Sequence, residues 1–266
     1  RAGRAITDNR LVKAIAARRG TFLIVTMAFL LGRAMILEEL SPFALAFLAV
    51  IYHLRRDLVF ATGLSALAGA MLSMHPQLPS IAFGMALFLL IQKGLERFER
   101  SDISTAPLFV MFVTGTVRLF AIMLSDQMHW YPLMLAGVEA VLGFVLTLIF
   151  IQAVPVLTMS RKKVQLRNEE VICLIILLAS VMTGMVGWSL EGLSVEHIMS
   201  RYLILVFAIV GGAPLGASVG VITGLILSLA DITAIYQISL LAFAGMLAGL
   251  MREAGRMGTA VGMLIG

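Results

Sequence analysis

The amino-acid sequence predicts an all-α fold, a polytopic transmembrane helical bundle of about ten spans, and two observations carry this prediction. The 266-residue chain has 60% hydrophobic and only 13% charged residues, which is too little polar surface to cover a soluble protein of this size. Its Lys and Arg residues also fall almost entirely in every second gap between apolar segments. Because cationic loops resist translocation, this alternation predicts a chain that crosses a membrane repeatedly.

Ten apolar segments define the predicted spans. A helix needs about 20 apolar residues to cross the hydrocarbon core, and segments 42–54, 78–92 and 198–212 are short of that. Each short segment is compatible with a half-helix or a re-entrant element shielded by its neighbours, but the charge alternation holds only when all of them cross. The segments are 21–37, 42–54, 58–74, 78–92, 106–124, 131–157, 171–188, 198–212, 214–230 and 235–251.

The basic residues also predict how the bundle is oriented. Residues 1–20 form a basic tail, further Lys and Arg lie in alternate gaps, and the intervening gaps contain none. We therefore expect a multi-pass protein of the cell membrane with a cytoplasmic N-terminus. The net charge of +5 is an orientation signal that favours anionic lipids, not a sign of nucleic-acid binding. The gap residues are Arg55, Arg56, Lys93, Arg97, Arg100, Arg161, Lys162, Lys163, Arg167, Arg252 and Arg256.

The organisation along the chain predicts three regions. Residues 1–20 are the cytoplasmic tail, 21–257 form the membrane domain, and 258–266 begin a further apolar segment that we expect to be truncated here. A faint self-similarity relates residues 63–93 to 220–252 at an offset of roughly 160 residues. It predicts a six-plus-six direct repeat, of which this chain contains only part.

Four Arg or Glu residues lie inside the predicted spans, where a charge needs a partner or a water-filled neighbour. Counted at 1.5 Å per residue, two of them lie about 9 and 12 Å below the outer surface on adjacent antiparallel segments, which is the right depth for a salt bridge. The other two lie in the same outer half. One interpretation is an outward-facing polar pocket for an anion or a peptide; the other, which we favour, is structural pairing with snorkelling. The four are Arg33, Arg118, Glu139 and Arg201, with the bridge predicted between Arg118 and Glu139.

Small residues form predicted packing faces on the last two segments. Gly220 and Gly224, and likewise Gly245 and Gly249, follow the small-xxx-small spacing that lets helices approach closely in lipid. We interpret these faces as helix packing without a further function.

No motif in the sequence predicts catalysis. The four His residues and Cys173 share no metal-like spacing, and neither a phosphate-binding Gly-Lys-Ser/Thr loop nor a Gly-x-Ser-x-Gly elbow occurs. We therefore predict no enzymatic activity, no cofactor and no metal for this chain. The single cysteine is interpreted as a small apolar filler on the cytoplasmic side.

Four stretches of the chain resemble the membrane domain of the stage II sporulation protein E family. The most specific are 200–225, which contains Val-Gly-Gly-Ala-Pro-Leu-Gly, and 235–250. Residues 31–47 and 168–180 are also similar, and the resemblance extends over 20–266.

The resemblance implies a longer protein with an enzymatic function elsewhere. Members of the family are membrane proteins of endospore-forming Firmicutes, with a multispan N-terminal domain, a central region and a C-terminal PPM-type serine/threonine phosphatase that uses manganese or magnesium. The phosphatase acts on a phosphorylated anti-anti-sigma factor and so activates the first forespore sigma factor. The resemblance also implies self-association and a place at the polar division septum with a tubulin-like division protein. None of the family's catalytic Asp residues maps onto this sequence.

Two functions therefore compete at the level of sequence. The first is a membrane-anchoring and septum-localising domain for a cytoplasmic phosphatase. The second is a multispan transporter or small-molecule receptor that uses the four charged residues of the outer half. The sequence that follows Gly266 in the full protein would separate them: a phosphatase domain there supports the first function, whereas a chain that ends soon after favours the second.

Overall fold

The computed structural model describes most of the chain after its basic tail, and it is almost wholly helical. Within the described part, the only strands are Ser189–Leu190 and Leu193–Ser194, which form one small antiparallel ribbon. The all-α prediction is therefore confirmed. Residues 1–19 of the predicted tail fall outside the described residues, which are 20–37, 39–74, 77–96, 102–125, 129–158, 167–190, 192–230 and 235–266.

Each of the predicted apolar segments coincides with a helix, although several bounds differ. The first helix ends at Arg33 rather than at residue 37, and the short segment 78–92 extends to Glu96. In the described residues the helices are α1 Gly20–Arg33, α2 Pro42–Leu54, α3 Val59–Leu72, α4 Leu78–Glu96, α5 Ala106–Leu124, α6 Trp130–Thr158, α7 Asn168–Thr183, α8 Val195–Ala230, α9 Gln237–Leu250 and α10 Gly255–Ile265.

Five helical stretches of the described chain are long and apolar enough to cross a membrane. Helices α1 and α2, of 14 and 13 residues, are apolar but shorter than the hydrocarbon core is thick. The count of about ten spans therefore stays a prediction. The five stretches are Leu78–Glu96, Ile103–Leu124, Trp130–Thr158, Val195–Ala230 and Gln237–Ile265.

Helix α8 folds back on itself at Gly212, where φ is +72°. A Cβ placed on Gly216 would lie 3.0 Å from the Cβ of Ala208, although a straight helix separates residues eight apart by about 12 Å. The two halves, 195–211 and 213–230, are thus the antiparallel pair that the sequence predicts as segments 198–212 and 214–230. Each half of α8 is therefore much shorter than the full helix of 36 residues.

A second reversal joins α9 to α10 at Gly255, where φ is +79°. A Cβ on Gly262 would lie 2.7 Å from the carbonyl oxygen of Leu247, so α10 runs back along α9. The apolar stretch predicted to begin at residue 258 is therefore a helix that begins at Gly255 and packs against its predecessor.

The contacts between distant loops sort into the two ends that the charge alternation predicts. At the outer end, the Leu37 N–H donates to the carbonyl of Leu229 across 2.9 Å. At the inner end, the Tyr52 hydroxyl donates to Glu96 across 2.6 Å. Loops that the charge pattern assigns to the same side of the membrane therefore contact each other. Which end faces the cytoplasm stays a prediction from the basic residues.

The core of the bundle surrounds α2. Eleven of the thirteen residues of this helix are buried, and they contribute to two hydrophobic clusters, one with α1 and α6 and the other with α3, α4 and α5. Phe47, for example, packs edge-on against Phe150 of α6, with ring centroids 6.1 Å apart. A helix enclosed in this way meets protein instead of lipid, so its short length leaves no backbone exposed to the hydrocarbon.

The outward surfaces of the helices are apolar. Many large hydrophobic side chains of α3, α4 and α5 are exposed, more than the surface of a soluble monomer usually carries. At the predicted outer ends, aromatic residues are also exposed, as in the interfacial belts of membrane proteins. Examples are Phe60, Leu64, Leu90, Phe112 and Phe120 on the apolar surface and Trp130, Tyr131, Tyr202 and Tyr236 in the belt.

The predicted internal repeat finds no support in the packing of its best-matched glycines. A Cβ on Gly220 would meet the backbone of Leu241 in α9. Its counterpart Gly63 has ordinary space, with Leu48 Cδ1 at 3.7 Å as its neighbour. The repeat stays a prediction from the sequence alone.

Candidate functional site: two polar sites in the outer half of the bundle

The first polar site is a salt bridge between α5 and α6. Arg118 Nε lies 2.5 Å from Glu139 Oε2, and the side chain of Glu139 is only 6% exposed. An uncompensated carboxylate at this depth would be costly, so the arginine on the neighbouring helix neutralises it. The bridge predicted from matching depths is present.

The salt bridge also holds the chain that enters α2. Glu139 Oε1 accepts the N–H of Ser41 across 3.2 Å, and Arg118 Nη2 donates to the carbonyl of Glu39 across 3.1 Å. The Gln77 side-chain amide donates to the same carbonyl. The Ser41 side chain makes no capping hydrogen bond, so the Glu139 carboxylate takes the place of a cap at the positive end of the helix dipole.

The cavity beside this pair is small. It has a volume of about 30 Å³, enough for one or two water molecules, and the hydroxyls of Ser41, Ser80 and Thr114 line it together with the ion pair. Ser41 Oγ is buried without a hydrogen-bond partner. The arrangement suits a hydrated structural joint between α2, α5 and α6.

The second polar site surrounds Arg33, at the end of α1. Its Nη2 donates to the carbonyl of Val186 across 3.2 Å, and its guanidinium lies 4.5 Å from the centroid of the Trp188 ring. Its Nη1 is buried and has no hydrogen-bond partner. A cavity of about 400 Å³ opens beside it, between the ends of α3, α7 and α8.

The four predicted cluster residues therefore do not share one pocket. Arg118 and Glu139 line the small cavity, Arg33 lines the larger one, and the two cavities have no lining residue in common. Arg201 is exposed on α8. The cluster was expected from similar depth, but depth along a helix axis does not specify the direction in which a side chain points. Of the nearby acids, Glu38 and Glu191 lie outside the described residues.

The predicted glycine faces lie where α9 packs against the second half of α8. A Cβ on Gly245 would meet the backbone of Gly216, and one on Gly249 would meet Ala213. A Cβ on Gly224 would lie 2.8 Å from the Cα of Ile238. Close backbone approach of this kind is what small-xxx-small spacing predicts. The same requirement applies to Gly69, which the sequence also marks as part of a small face, and to Gly32, Gly184 and Gly216, which it does not.

Sequence reasoning also missed the uncharged partners in these sites. Val186 and Ser41 take part through backbone groups, which no residue type reveals. Trp188 gives the one available signal, because a Trp at the outer edge of a span can stack on an arginine. Gln77 was passed over as part of a polar gap.

The inner end carries a third, smaller polar group. Glu96 accepts from the Tyr52 hydroxyl, and its Oε1 lies 2.7 Å from Arg56 Nη2, which ties the end of α2 to the end of α4. In the adjoining loop, a hydrogen bond from Arg55 lowers the pKa of the exposed Asp57 carboxyl. In the described chain no group of three or more His, Cys, Asp and Glu side chains is arranged to hold a metal ion.

These features define the class of the molecule: a multispan, all-α membrane domain whose polar residues join helices to one another. A family model described as SpoIIE, N-terminal domain, matches residues 3–266, and the chain belongs to this family. It is 42% identical over 247 residues to the stage II sporulation protein E of Bacillus subtilis (strain 168), an alignment that covers 92% of this chain.

A second relative is the stage II sporulation protein E of Priestia megaterium, 47% identical over 49 residues, or 18% of this chain and 8% of the relative. The chain spans about a third of the length of the Bacillus relative, because the alignment covers 30% of that protein. No solved structure matches this chain.

Proposed function

We propose that this chain anchors a sporulation serine/threonine phosphatase in the membrane and places it at the polar division septum. The observation that carries the proposal is the uneven coverage of the match: 92% of this chain aligns with only 30% of the Bacillus relative. Most of that relative is therefore outside the region compared. The apolar outward surfaces of α3, α4 and α5 fit the same proposal, since they suit lipid and not a soluble substrate.

The physical advantage of such an anchor is concentration. Confining an enzyme to a surface raises its effective concentration toward partners on that surface without any new contact. Many spans make the attachment effectively irreversible, unlike a single lipid chain. In the proposal, the attached phosphatase is of the PPM type, uses manganese or magnesium and faces the cytoplasm, as the basic loops predict. It removes the phosphate from an anti-anti-sigma factor, and so activates the first forespore sigma factor.

The septal placement is tested with a fluorescent protein fused after Gly266. We expect fluorescence in the membrane that becomes enriched at polar septa during sporulation, where the tubulin-like division protein assembles. Two results together would show that this chain only anchors the protein and does not place it at septa. One is uniform membrane fluorescence of this fusion, and the other is septal enrichment of a full-length protein whose membrane domain is replaced by an unrelated multispan anchor. Phosphate release by the purified chain would contradict the proposal altogether.

A fold-matched control separates placement from folding. Gly137→Ala introduces a methyl group into open space on α6, so that variant should localise as the parent does. Gly220→Leu pushes a side chain into the α9 backbone and should lose both membrane insertion and septal signal. A septal signal that survives misfolding would show that the fused protein reaches septa by itself.

Transport through the four outer charges is the weaker alternative. It needs Arg33, Arg118, Glu139 and Arg201 on one path, whereas the first three line two separate cavities and the fourth is exposed.

A further inference from the structure

We propose that the cavity beside Arg33 binds a small amphipathic anion, with its charged oxygen on the Arg33 guanidinium and its apolar body against the cavity wall. This goes beyond an anchoring function, because it gives the domain a ligand. The argument rests on three features of the cavity: an arginine nitrogen without a partner, a rigidly held guanidinium plane, and a lining in which Arg33 is the one charged side chain described and most of the others are apolar.

The first feature is the unsatisfied nitrogen. Arg33 Nη1 is buried and donates to no group, while Nη2 donates to the carbonyl of Val186. A buried donor without a partner is costly, and a charged donor more so, because its hydration is lost without replacement. An anionic oxygen placed against Nη1 supplies the missing acceptor and the opposite charge in one contact.

The second feature is the fixed orientation of the guanidinium. The Trp188 ring lies against one side of it, at 4.5 Å, and the Val186 carbonyl holds one of its edges. Between them, Gly187 has φ +82°, a conformation that favours glycine, and a Cβ there would lie 3.9 Å from Arg33 Nη2. The segment 186–188 therefore wraps closely around the arginine. A donor that is already oriented binds its ligand with little loss of side-chain entropy.

The third feature is the composition of the wall. The volume of about 400 Å³ lies within the usual range for small-molecule sites. Ser73 and Thr183 also line it, but both hydroxyls already donate to carbonyls of their own helices. Among the described lining residues there is no Asp or Glu. The other side chains that line the cavity are apolar, so a ligand with one anionic end and an apolar body fits the cavity. These side chains are Met35, Leu72, Met74, Val186 and Ala230.

The position of the cavity specifies where such a ligand enters. The cavity lies at the predicted outer ends of three helices. Leu72 ends α3, Val186 follows α7, and Ala230 ends the second half of α8. Both a free carboxylate from outside and the phosphate of an outer-leaflet phospholipid with net negative charge, such as phosphatidylglycerol, provide an anionic oxygen attached to an apolar body. The cavity chemistry is the same for both, and the experiment distinguishes them.

Trp188 provides the readout. The chain has two Trp residues, so Trp130→Phe leaves Trp188, in contact with Arg33, as the only tryptophan, and selective tryptophan excitation reports on it. Octanoate is titrated into this variant in a zwitterionic detergent, with 1-octanol and inorganic phosphate as matched probes. We expect a saturable change in Trp188 emission with octanoate and a much weaker effect of either probe alone. An equal response to 1-octanol would overturn the proposal, because it would show partition without recognition of charge.

Variants test the role of the arginine itself. Arg33→Gln should weaken the octanoate response by about tenfold or more, as expected for loss of a charge-assisted contact, and Arg33→Lys should weaken it less. Arg201→Gln removes an exposed charge of the same half and should bind as the parent does. Thermal unfolding of each variant separates loss of binding from loss of folding. If Arg33→Gln remains folded and binds octanoate as tightly as the parent, the assignment is wrong.

The source of the anion is settled by reconstitution. The Trp130→Phe variant is placed in nanodiscs of phosphatidylcholine, with and without phosphatidylglycerol, and titrated with octanoate. Competition that appears only with phosphatidylglycerol identifies a phospholipid headgroup as the occupant. Equal octanoate affinity in both lipids identifies a free carboxylate. Absence of any octanoate response in either lipid, with Trp188 emission also indifferent to phosphatidylglycerol, would contradict the proposal.

Discussion

Arg118 and Glu139 join α5 to α6 through a contact of 2.5 Å between Nε and Oε2. The same carboxylate also accepts the Ser41 N–H, so one ion pair positions three helices. This arrangement makes the two partners unequal. Loss of Arg118 leaves a buried negative charge, whereas loss of Glu139 leaves the Arg118 guanidinium unpaired and also removes the cap of α2.

The inequality predicts the outcome of a double-mutant cycle. Arg118→Leu and Glu139→Leu should each lower stability by about 3–5 kcal/mol, the usual cost of breaking a buried pair. The double variant should recover part of that loss, but not all, since Ser41 remains without its acceptor. Folded yield by size-exclusion chromatography and a thermal midpoint in detergent measure the effect. Strictly additive losses would show that the two residues do not act together.

Glu139→Gln provides the matched control for the cap. A neutral amide still offers an oxygen to the Ser41 N–H but no longer neutralises Arg118. We therefore expect Glu139→Gln to be more stable than Glu139→Leu in the parent background. Equal stability of the two would mean that the contact with Ser41 contributes nothing.

The glycine seam between α8 and α9 predicts a steep dependence on side-chain size. A Cβ on Gly220 would lie 2.6 Å from the Leu241 carbonyl carbon, where backbone cannot move aside. Gly220→Ala should lower stability by about 1–3 kcal/mol, as overpacking does. Gly137→Ala has open space and should be neutral or slightly stabilising because Ala favours helix. Unfolding in a denaturing detergent compares them, and equal midpoints would contradict the close packing.

The reversal at Gly212 predicts a conformational cost. With φ at +72°, any residue with a Cβ is strained there, so Gly212→Ala should lower stability by about 1–2 kcal/mol. Gly212→Asn should cost about as much, because ψ is −161° at this residue and Asn tolerates positive φ mainly in the left-handed helical region. Gly94→Ala, which adds a methyl group in open space in α4, is the control. The thermal midpoint in detergent measures all three, and a neutral Gly212→Ala would exclude the strained turn.

Orientation is predicted by the basic loops and tested by labelling. In a Cys173→Ser background, cysteines at Gln127 and Leu193 should react with an impermeant thiol reagent in intact cells, while one at Gln165 should not. Gln127 and Gln165 lie outside the described residues, so this prediction rests on the charge pattern alone. Labelling at Gln165 would overturn the assigned orientation.

The apolar segments and their order could be predicted from the sequence because hydropathy depends on residue type alone. The basic residues also predicted which loops lie at the same end of the bundle. The contacts Leu37–Leu229 and Tyr52–Glu96 agree with that grouping. The reversal within 195–230 was also predicted, although the gap at Gly212 carries no basic residue of its own. Arg252 supplies one, since its Nη1 donates to the carbonyl of Val210 across 3.1 Å.

The candidate site shows what depended on tertiary structure. Arg118 and Glu139 could be paired from sequence because α5 and α6 are consecutive helices that pack against each other. Their depth in the membrane was then the one quantity needed to bring the two side chains together. The surroundings of Arg33 and Arg201 depend on the rotation of each helix about its axis. That rotation is set by the packing of the whole bundle, and hydropathy does not encode it.

Sequence by itself thus determined the membrane class, the segments and the Arg118–Glu139 pair, since these follow from residue type and spacing. Only the tertiary structure decided that α2 is enclosed by its neighbours, that Arg33 lies against Trp188, and that a cavity remains beside it. The physical reason is that burial and empty volume belong to the assembled helices. No segment has either property before its neighbours close around it.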